Sequence, residues 1–542
     1  MNSMSFARPV FRAGQRDTVV ALLQRAATAY PERNFATVDG QAITYGEFDR
    51  ATNAMARSFQ QLGIGQGQCV VTLLDSSLDS LICWFAINKL GAVWVPTNTA
   101  FRGDFLRHQI HDAEAQLAIC DAQYLDRFVH VADSLPDLRL ILCRSSEEMP
   151  ICSVPIQSLD AFRGDNPDSL DIPVAPADLA ALIYTSGTTG PSKGCMISHN
   201  YLAAVGRINR RHTLMEAGET LYTCLPLFHA AAITTVLSVM EDGSHIAISS
   251  QFSVRRFWEE VEAAQATSAL LMASIFALLA HAPDCDAAQR YRGKLKMVFG
   301  VPISPEVRKI WKERFGAQIV SSWSYGQTEA IRVTAGPLGE NPPEACAGRA
   351  VDEYELMIFD ENDQPVPDGT VGQIVIRPRE ANVMFEGYWK QPEATAAVWK
   401  NLWLHTGDLG KLEGGYLFFA DRAKDYLRSR GENVSSFELE RALCSHHAIA
   451  EAAAHAVGPQ TGEDEIKVTV VLREGALVTE HELCLWAIEN LPHFAVPRFI
   501  ELRAELPKNP TGRVLKYRLR EEGVTAATWD REAAGIQVRR RR

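Results

Sequence analysis

Several things are scarce in this chain. It has 11 cysteines but no Cys-x-x-Cys pair, and the odd count leaves at least one unpaired. That usage disfavours a disulfide scaffold and a structural zinc site and favours a reducing compartment. No long hydrophobic run occurs. The most apolar stretch, Leu81 to Val95, is interrupted by Asn88 and Lys89 and is too short to span a bilayer. It reads as a core helix followed by a strand. Met1 to Arg16 lacks the apolar segment of a secretory signal, so a cytoplasmic location is expected. Positive charge is also in deficit: the formal net charge is −12, which argues against general nucleic-acid binding. The run Arg539 to Arg542 is a local exception and reads as a solvated end. Internal repeats and low-complexity linkers are absent as well.

What remains is an ordinary globular composition, 46% hydrophobic and 22% charged, over 542 residues. That length exceeds one core, so several domains are expected. From about Thr18 to Asp360 apolar strands alternate with helical stretches. Leu22 to Ala29 and Tyr45 to Leu62 are amphipathic, while Cys69 to Leu74 and Ala92 to Pro96 read as strands. Such alternation predicts α/β layers with mostly parallel sheets. Short strands at Glu355–Phe359 and Gln373–Arg377 flank the turn segment Pro365 to Gly369, predicting a β-rich subdomain. Beyond the charged stretch Asp421 to Asp425 the pattern changes to helix Ser436–His446, strand Ile466–Leu472 and helix Glu480–Asn490. The predicted organisation is a large N-terminal domain of layered α/β subdomains plus the β-rich subdomain (1–420), a hinge at 421–425, a small mobile α+β domain (426–525) and a flexible tail (526–542).

The most informative segment is Thr185 to Gly194, in order Thr185, Ser186, Gly187, Thr188, Thr189, Gly190, Pro191, Ser192, Lys193 and Gly194. It follows the apolar run Leu179 to Tyr184, which reads as a buried strand with the ten residues as a loop leaving its end. No side chain in the loop is large enough to build a core. The loop offers backbone N–H groups, hydroxyls and one cation, the groups that hold a phosphate chain. A plain surface linker is the bland alternative. The GxxxxGK[ST] phosphate loop is excluded, because it needs Gly at 192 and Ser or Thr at 194. Ser198 is placed to cap a helix starting near Asn200.

Further motifs follow in the order Leu225 to His229, Ser324 to Glu329, His405 to Asp408, Asp421 to Asp425, Gly431 to Val434 and Pro507 to Arg513. Together with Tyr184 to Gly194 they resemble the adenylate-forming superfamily, which includes acyl-CoA synthetases, firefly luciferase and the adenylation domains of peptide synthetases. The resemblance covers nearly the whole chain. Phe418 to Ser436 looks most like the crotonobetaine/carnitine-CoA ligase-like branch.

The resemblance implies an AMP-forming acid–thiol ligase using ATP, Mg²⁺ and coenzyme A. Lys193 and the loop residues Thr185, Ser186, Gly187, Thr188, Thr189 and Gly190 would hold the outer phosphates. Glu329, with Thr185, would bind the metal, and Thr328 the α-phosphate. Tyr325 and Gly326 would form the adenine site, a core aromatic being the alternative for Tyr325. Asp408 and Arg422 would hold the ribose, as suits an acceptor-only carboxylate and a cation. His229 would line or gate the acyl site. Lys424 would serve the hinge, and Gly431 would let backbone approach the pantetheine thiol. A homodimer is left open.

Two departures matter. The family's catalytic lysine falls in a Thr-Gly-Lys triplet, and here the triplet ends in Arg513. Arginine is longer, planar and forked, so Arg513, Lys516 or Lys508 could carry that step. Gly300 to Pro302 also differs from the usual Gly-Ala-Pro. Ala230 to Met240 holds no acid, whereas relatives that activate amino acids place one there. A charged amine would be unpaired at a cost of several kcal/mol, so an acid lacking an α-amino group is favoured. The alternatives are acyl transfer to a separate carrier protein, a nucleotide- or acyl-adenylate-binding protein with little turnover, and a luciferase-like oxygenase.

Overall fold

The computed structural model describes residues 16–101, 103–145, 149–185, 192–301, 303–337, 342–422, 426–429, 432–458, 465–491, 495–509, 512 and 514–538. Contacts divide the chain into two units. One comprises 1–356, 376–402 and 415–417, and the other 357–375, 403–414 and 418–542. The division falls inside the β-rich segment rather than at 421–425. Lys424, with 423–425, lies outside the described residues.

The first unit holds two seven-stranded sheets of the same design. One runs Ile156–Ser158, Leu140–Arg144, Leu117–Asp121, Cys69–Leu73, Val93–Pro96, Leu179–Thr185 and Lys193–Ser198. Its neighbours are parallel except the last pair. The other runs Ile319–Ser321, Met297–Phe299, Ala266–Leu270, Thr220–Thr223, His245–Ile248, Asn34–Val38 and Gln41–Thr44, again parallel up to one antiparallel edge. Strands buried on both faces need continuous apolar runs, and every residue of Cys69–Leu73 and of Val93–Pro96 is buried.

Helices form where caps and periodicity agree. Thr44 and Glu47 close a capping box on Tyr45–Gln61, and Ser77 and Ser80 close one on Leu78–Lys89. The latter helix is buried nearly all round, with Trp84 stacked on Trp94 at 4.6 Å. Lys89, at its end, is buried but donates to Asp49 Oδ1 and Asn53 Oδ1, each at 2.6 Å. The charge that interrupts the apolar run is therefore satisfied inside the core. Among the described residues no helix is long and apolar enough to cross a membrane.

The β-rich segment is a five-stranded sheet of Tyr354–Phe359, Gly372–Pro378, Trp403–Glu413 and Trp399–Lys400, with Tyr416–Arg422 also paired to Trp403–Glu413. In the second unit Ile449–Val457, Glu465–Leu472, Phe499–Arg503 and Trp529–Asp530 form a four-stranded sheet, with helices Ser436–Cys444, Glu480–Asn490 and Lys516–Glu522. The tail expected at 526–542 thus needs correction. Trp529–Asp530 pairs antiparallel with Phe499 and Ile500, and Arg531 is buried. Glu501 draws this segment in by accepting from Thr525 and Thr528 hydroxyls at 2.9 and 2.8 Å.

Candidate active site

The segment Thr185 to Gly194 starts and ends in two strands that pair with each other. Leu179–Thr185 and Lys193–Ser198 pair antiparallel, with Thr185 opposite Lys193 and Ile183 opposite Cys195. Thr185, Lys193 and Gly194 therefore belong to strands, not to a ten-residue loop. Ser186 to Gly190 lie outside the described residues. Gly194 has a packing reason: a Cβ there would sit 3.2 Å from the Tyr184 ring and 3.4 Å from Trp389. Ser198 caps helix His199–Arg211, accepting from Tyr201 N–H at 3.3 Å.

The free edge of Lys193–Ser198 is covered by residues 386–389. Met196 N–H donates to Gly387 O at 2.9 Å, Glu386 N–H to Met196 O at 2.8 Å and Trp389 N–H to Gly194 O at 2.8 Å. A third segment joins them, since Phe385 N–H donates to Glu329 O at 3.0 Å. These backbone bonds bring three sequence-distant side chains together. Tyr388 Oη donates to Glu329 Oε1 at 2.6 Å, and Lys193 Nζ lies 5.0 Å from the centre of the Tyr388 ring. Glu329 is 8% exposed and pairs with no cation among the described residues. Burial, then Glu329, push the Tyr388 hydroxyl well up, so it stays protonated and donates. Cys195, bridged to Tyr388 through the backbone, is likewise pushed up by burial and then Glu329 and stays a thiol.

The segment 324–334 is a tight turn. Gln327 and Ala330 exchange backbone hydrogen bonds at 3.0 and 2.9 Å, and Tyr325 N–H donates to Thr334 Oγ1 at 2.7 Å. Gly326 is required there, because a Cβ would lie 2.0 Å from Ile331 O. Tyr201 Oη buttresses the turn, donating to Thr328 O at 3.0 Å and accepting from Ile331 N–H at 2.6 Å. The Tyr325 ring is buried. His229 stands at the N-cap of helix Ala230–Met240 without a side-chain capping bond, and burial lowers its pKa.

Other expected residues lie elsewhere. Asp408 is buried in strand Trp403–Glu413 of the second unit, where its N–H donates to Thr406 Oγ1 at 3.1 Å and Gly407 takes a positive φ of 71°. Arg422 ends strand Tyr416–Arg422; its side chain, like Gly431 and Arg513, lies outside the described atoms. Lys516 Nζ donates to Ser436 Oγ at 2.7 Å and pairs with Glu440 at 2.9 Å. Tyr388 was not found from sequence. Its signal was the Gly387–Tyr388 pair one residue after the apolar run Val383 to Phe385, with Glu386 between.

Residues 23–389 match the model of the AMP-binding enzyme family, and 438–513 match that of the AMP-binding enzyme C-terminal domain. The chain belongs to the AMP-binding enzyme family. Its relatives include the crotonobetaine/carnitine-CoA ligases of Salmonella paratyphi B and Escherichia coli O7:K1, each 29% identical over 88% of this chain and 93% of the relative. Among solved structures, an anthranilate CoA ligase in complex with anthranoyl-AMP aligns with a TM-score of 0.81 at 23% identity, over 96% of this chain and 98% of that one. An O-succinylbenzoate coenzyme A synthetase from Bacillus subtilis in complex with AMP aligns with a TM-score of 0.79 at 22% identity, over 93% and 98%. The family's acyl-CoA ligases thus share this fold, a large α/β N-terminal part and a smaller C-terminal one.

Proposed function

We propose that this family member is an ATP-dependent acyl-CoA ligase. It activates a free carboxylic acid as its adenylate, releasing pyrophosphate, and then passes the acyl group to the thiol of coenzyme A, releasing AMP. The cluster of Glu329, Tyr388 and Lys193, where strand Lys193–Ser198 begins, carries this reading. Lys193 and the backbone N–H groups of a Gly-rich turn suit the outer phosphates. A nearly buried carboxylate with no cationic partner suits a hard cation bound through oxygen, so Glu329, with Thr185, would hold Mg²⁺. Bound there, the ion would offset phosphate charge. The Tyr388 hydroxyl fixes Glu329 Oε1.

In the first step an oxygen of the acid attacks the α-phosphorus in line, and pyrophosphate leaves. Thr328 would donate to the α-phosphate, Tyr325 and Gly326 would border adenine, and Asp408 and Arg422 would take the ribose. His229 would line the entry of the acid. In the second step the thiolate attacks the acyl carbonyl and AMP leaves. Gly431 would serve that step after the C-terminal domain turns about Lys424. The relatives' names specify crotonobetaine and carnitine, and the structural neighbours' specify anthranilate and O-succinylbenzoate, so the family alone leaves the acid open.

The test is acid-dependent exchange of labelled pyrophosphate into ATP over aliphatic, aromatic and alicyclic acids, followed by thioester formation with free coenzyme A. Exchange is expected with at least one acid, and Glu329→Gln should lower it by roughly 10²–10³. Binding of Mg·ATP with no exchange across the panel would replace this reading with a nucleotide-binding protein. Exchange without a coenzyme A thioester would point to a carrier protein as acceptor.

A further inference from the structure

Helices His199–Arg211 and Ala230–Met240 pack on each other beside the second sheet. Between them and strands Thr220–Thr223 and Met297–Phe299 lies a narrow cleft, bordered by Asn209, His212, Thr235, Ser238, Phe299 and Arg332. No carboxylate lines it. Arg332 Nε is buried without a hydrogen-bond partner, and its guanidinium has no ion pair among the described residues. Asn209, 8% exposed, has an unpartnered Oδ1 in the same place. The amide can present either its oxygen or its nitrogen to a ligand. His212 Nδ1–H donates to Ile208 O at 2.8 Å. Burial, then Arg332, hold its pKa down at about 4, so it is neutral at neutral pH. Among the described residues that border the cleft Arg332 is therefore the only charge, and burial lowers its own pKa only to about 10.

The Arg332 guanidinium is partly buried and borders a cleft that no acid lines, so it has no counter-ion there. It follows Glu329 by three residues in the same turn, and the helix bearing Thr235 and Ser238 starts at His229. We propose that Arg332 reads an anionic substituent on the acid being activated, remote from the reacting carboxylate, with dicarboxylates as the simplest substrate class. This rests on the ligase reading above. Arginine's fork suits a bidentate carboxylate. The same cleft disfavours a trimethylammonium acid, which would meet a guanidinium and no counter-ion. The cleft is tight, so an entering acid displaces side chains and a compact substituent fits best.

The test uses the full chain and matched acids: butyrate, succinate and trimethylammoniobutyrate, with hexanoate and adipate as a longer pair. In pyrophosphate exchange, kcat/KM should favour each dicarboxylate over its monocarboxylate by roughly 10–100-fold, the range for a hydrogen-bonded charge. Arg332→Met should bring that ratio near one while leaving Mg·ATP affinity and the melting temperature in place. A wild-type preference for the monocarboxylates or for trimethylammoniobutyrate, or a ratio that Arg332→Met leaves unmoved, would overturn the inference and leave the ligase intact. Exchange with no acid would instead fail the ligase reading. Calorimetry of succinate and adipate with Mg·ATP present then decides the cleft alone. Binding that Arg332→Met abolishes supports it, and no binding, or binding the variant keeps, refutes it.

Discussion

Tyr388 connects the two residues that matter most in the candidate site. Its hydroxyl fixes Glu329 and its ring lies under Lys193. Tyr388→Phe keeps the ring and removes one hydrogen bond to a charged acceptor, so kcat for exchange should fall about 10-fold, with a higher Mg²⁺ requirement and an unchanged KM for the acid. An equal rise in the acid's KM would place Tyr388 in acid binding instead. The missing catalytic lysine is also decided at this scale. Lys516 is engaged by Ser436 and Glu440, and Lys508 by Glu451 at 2.6 Å. Each would have to leave a partner to reach a phosphate. We therefore expect Arg513→Ala to lower exchange by roughly 10²–10³ and Lys516→Ala by less than about 10-fold. Reversed magnitudes would assign the step to Lys516.

At the scale of elements, helices with local signals were legible. The capped helix Glu480–Asn490 occupies the residues its sequence predicts, because cap and periodicity lie within one short segment. The hairpin at 185–193 was not legible. Gly194 reads as a breaker, yet it is a strand residue kept small by Tyr184 and Trp389, and Trp389 lies far along the chain. The Glu329–Tyr388 contact was hidden for the same reason: the two residues are 59 apart in the chain, and the backbone pairing that holds Tyr388 in place joins Met196 to Gly387. The turn at 324–334 was visible as a motif, but its need for glycine is steric. Gly326→Ala puts a methyl against a backbone carbonyl that cannot yield without breaking the turn. It should cost about 2–3 kcal/mol by thermal or urea unfolding and reduce exchange more than Glu329→Gln does. A stable, active Gly326→Ala protein would show that the turn relaxes.

For the whole molecule, acid should weaken both units, each through its own buried groups. In the first, His199 is fully buried with both ring nitrogens unpartnered, and burial holds its pKa at about 4 against an ordinary 6.5. The unfolded chain takes up that proton first, so stability is full above pH 6.5 and declines as pH falls toward 4, by up to about 3 kcal/mol. In the second, burial raises Glu501, but donors led by Lys467 at 2.6 Å outweigh it and hold the carboxyl at about 2 against 4.5. Its contribution is complete above pH 4.5 and is lost between 4.5 and 2, again by up to about 3 kcal/mol. His455 in the second unit is buried and held at about 4 as well, so urea midpoints followed by probes in each unit should show both weakening below pH 6.5, with Glu501 adding a further loss in the second below pH 4.5. His199→Phe should flatten the first decline, and Glu501→Gln should lower the second unit's stability at neutral pH while flattening its decline below pH 4.5. Removing residues 526–542 takes away the Thr528 donor and the edge strand together, so it should destabilise the second unit already at pH 7. If that truncation leaves the second unit's urea midpoint unchanged, the segment after 525 is an appendage, as its sequence first suggests.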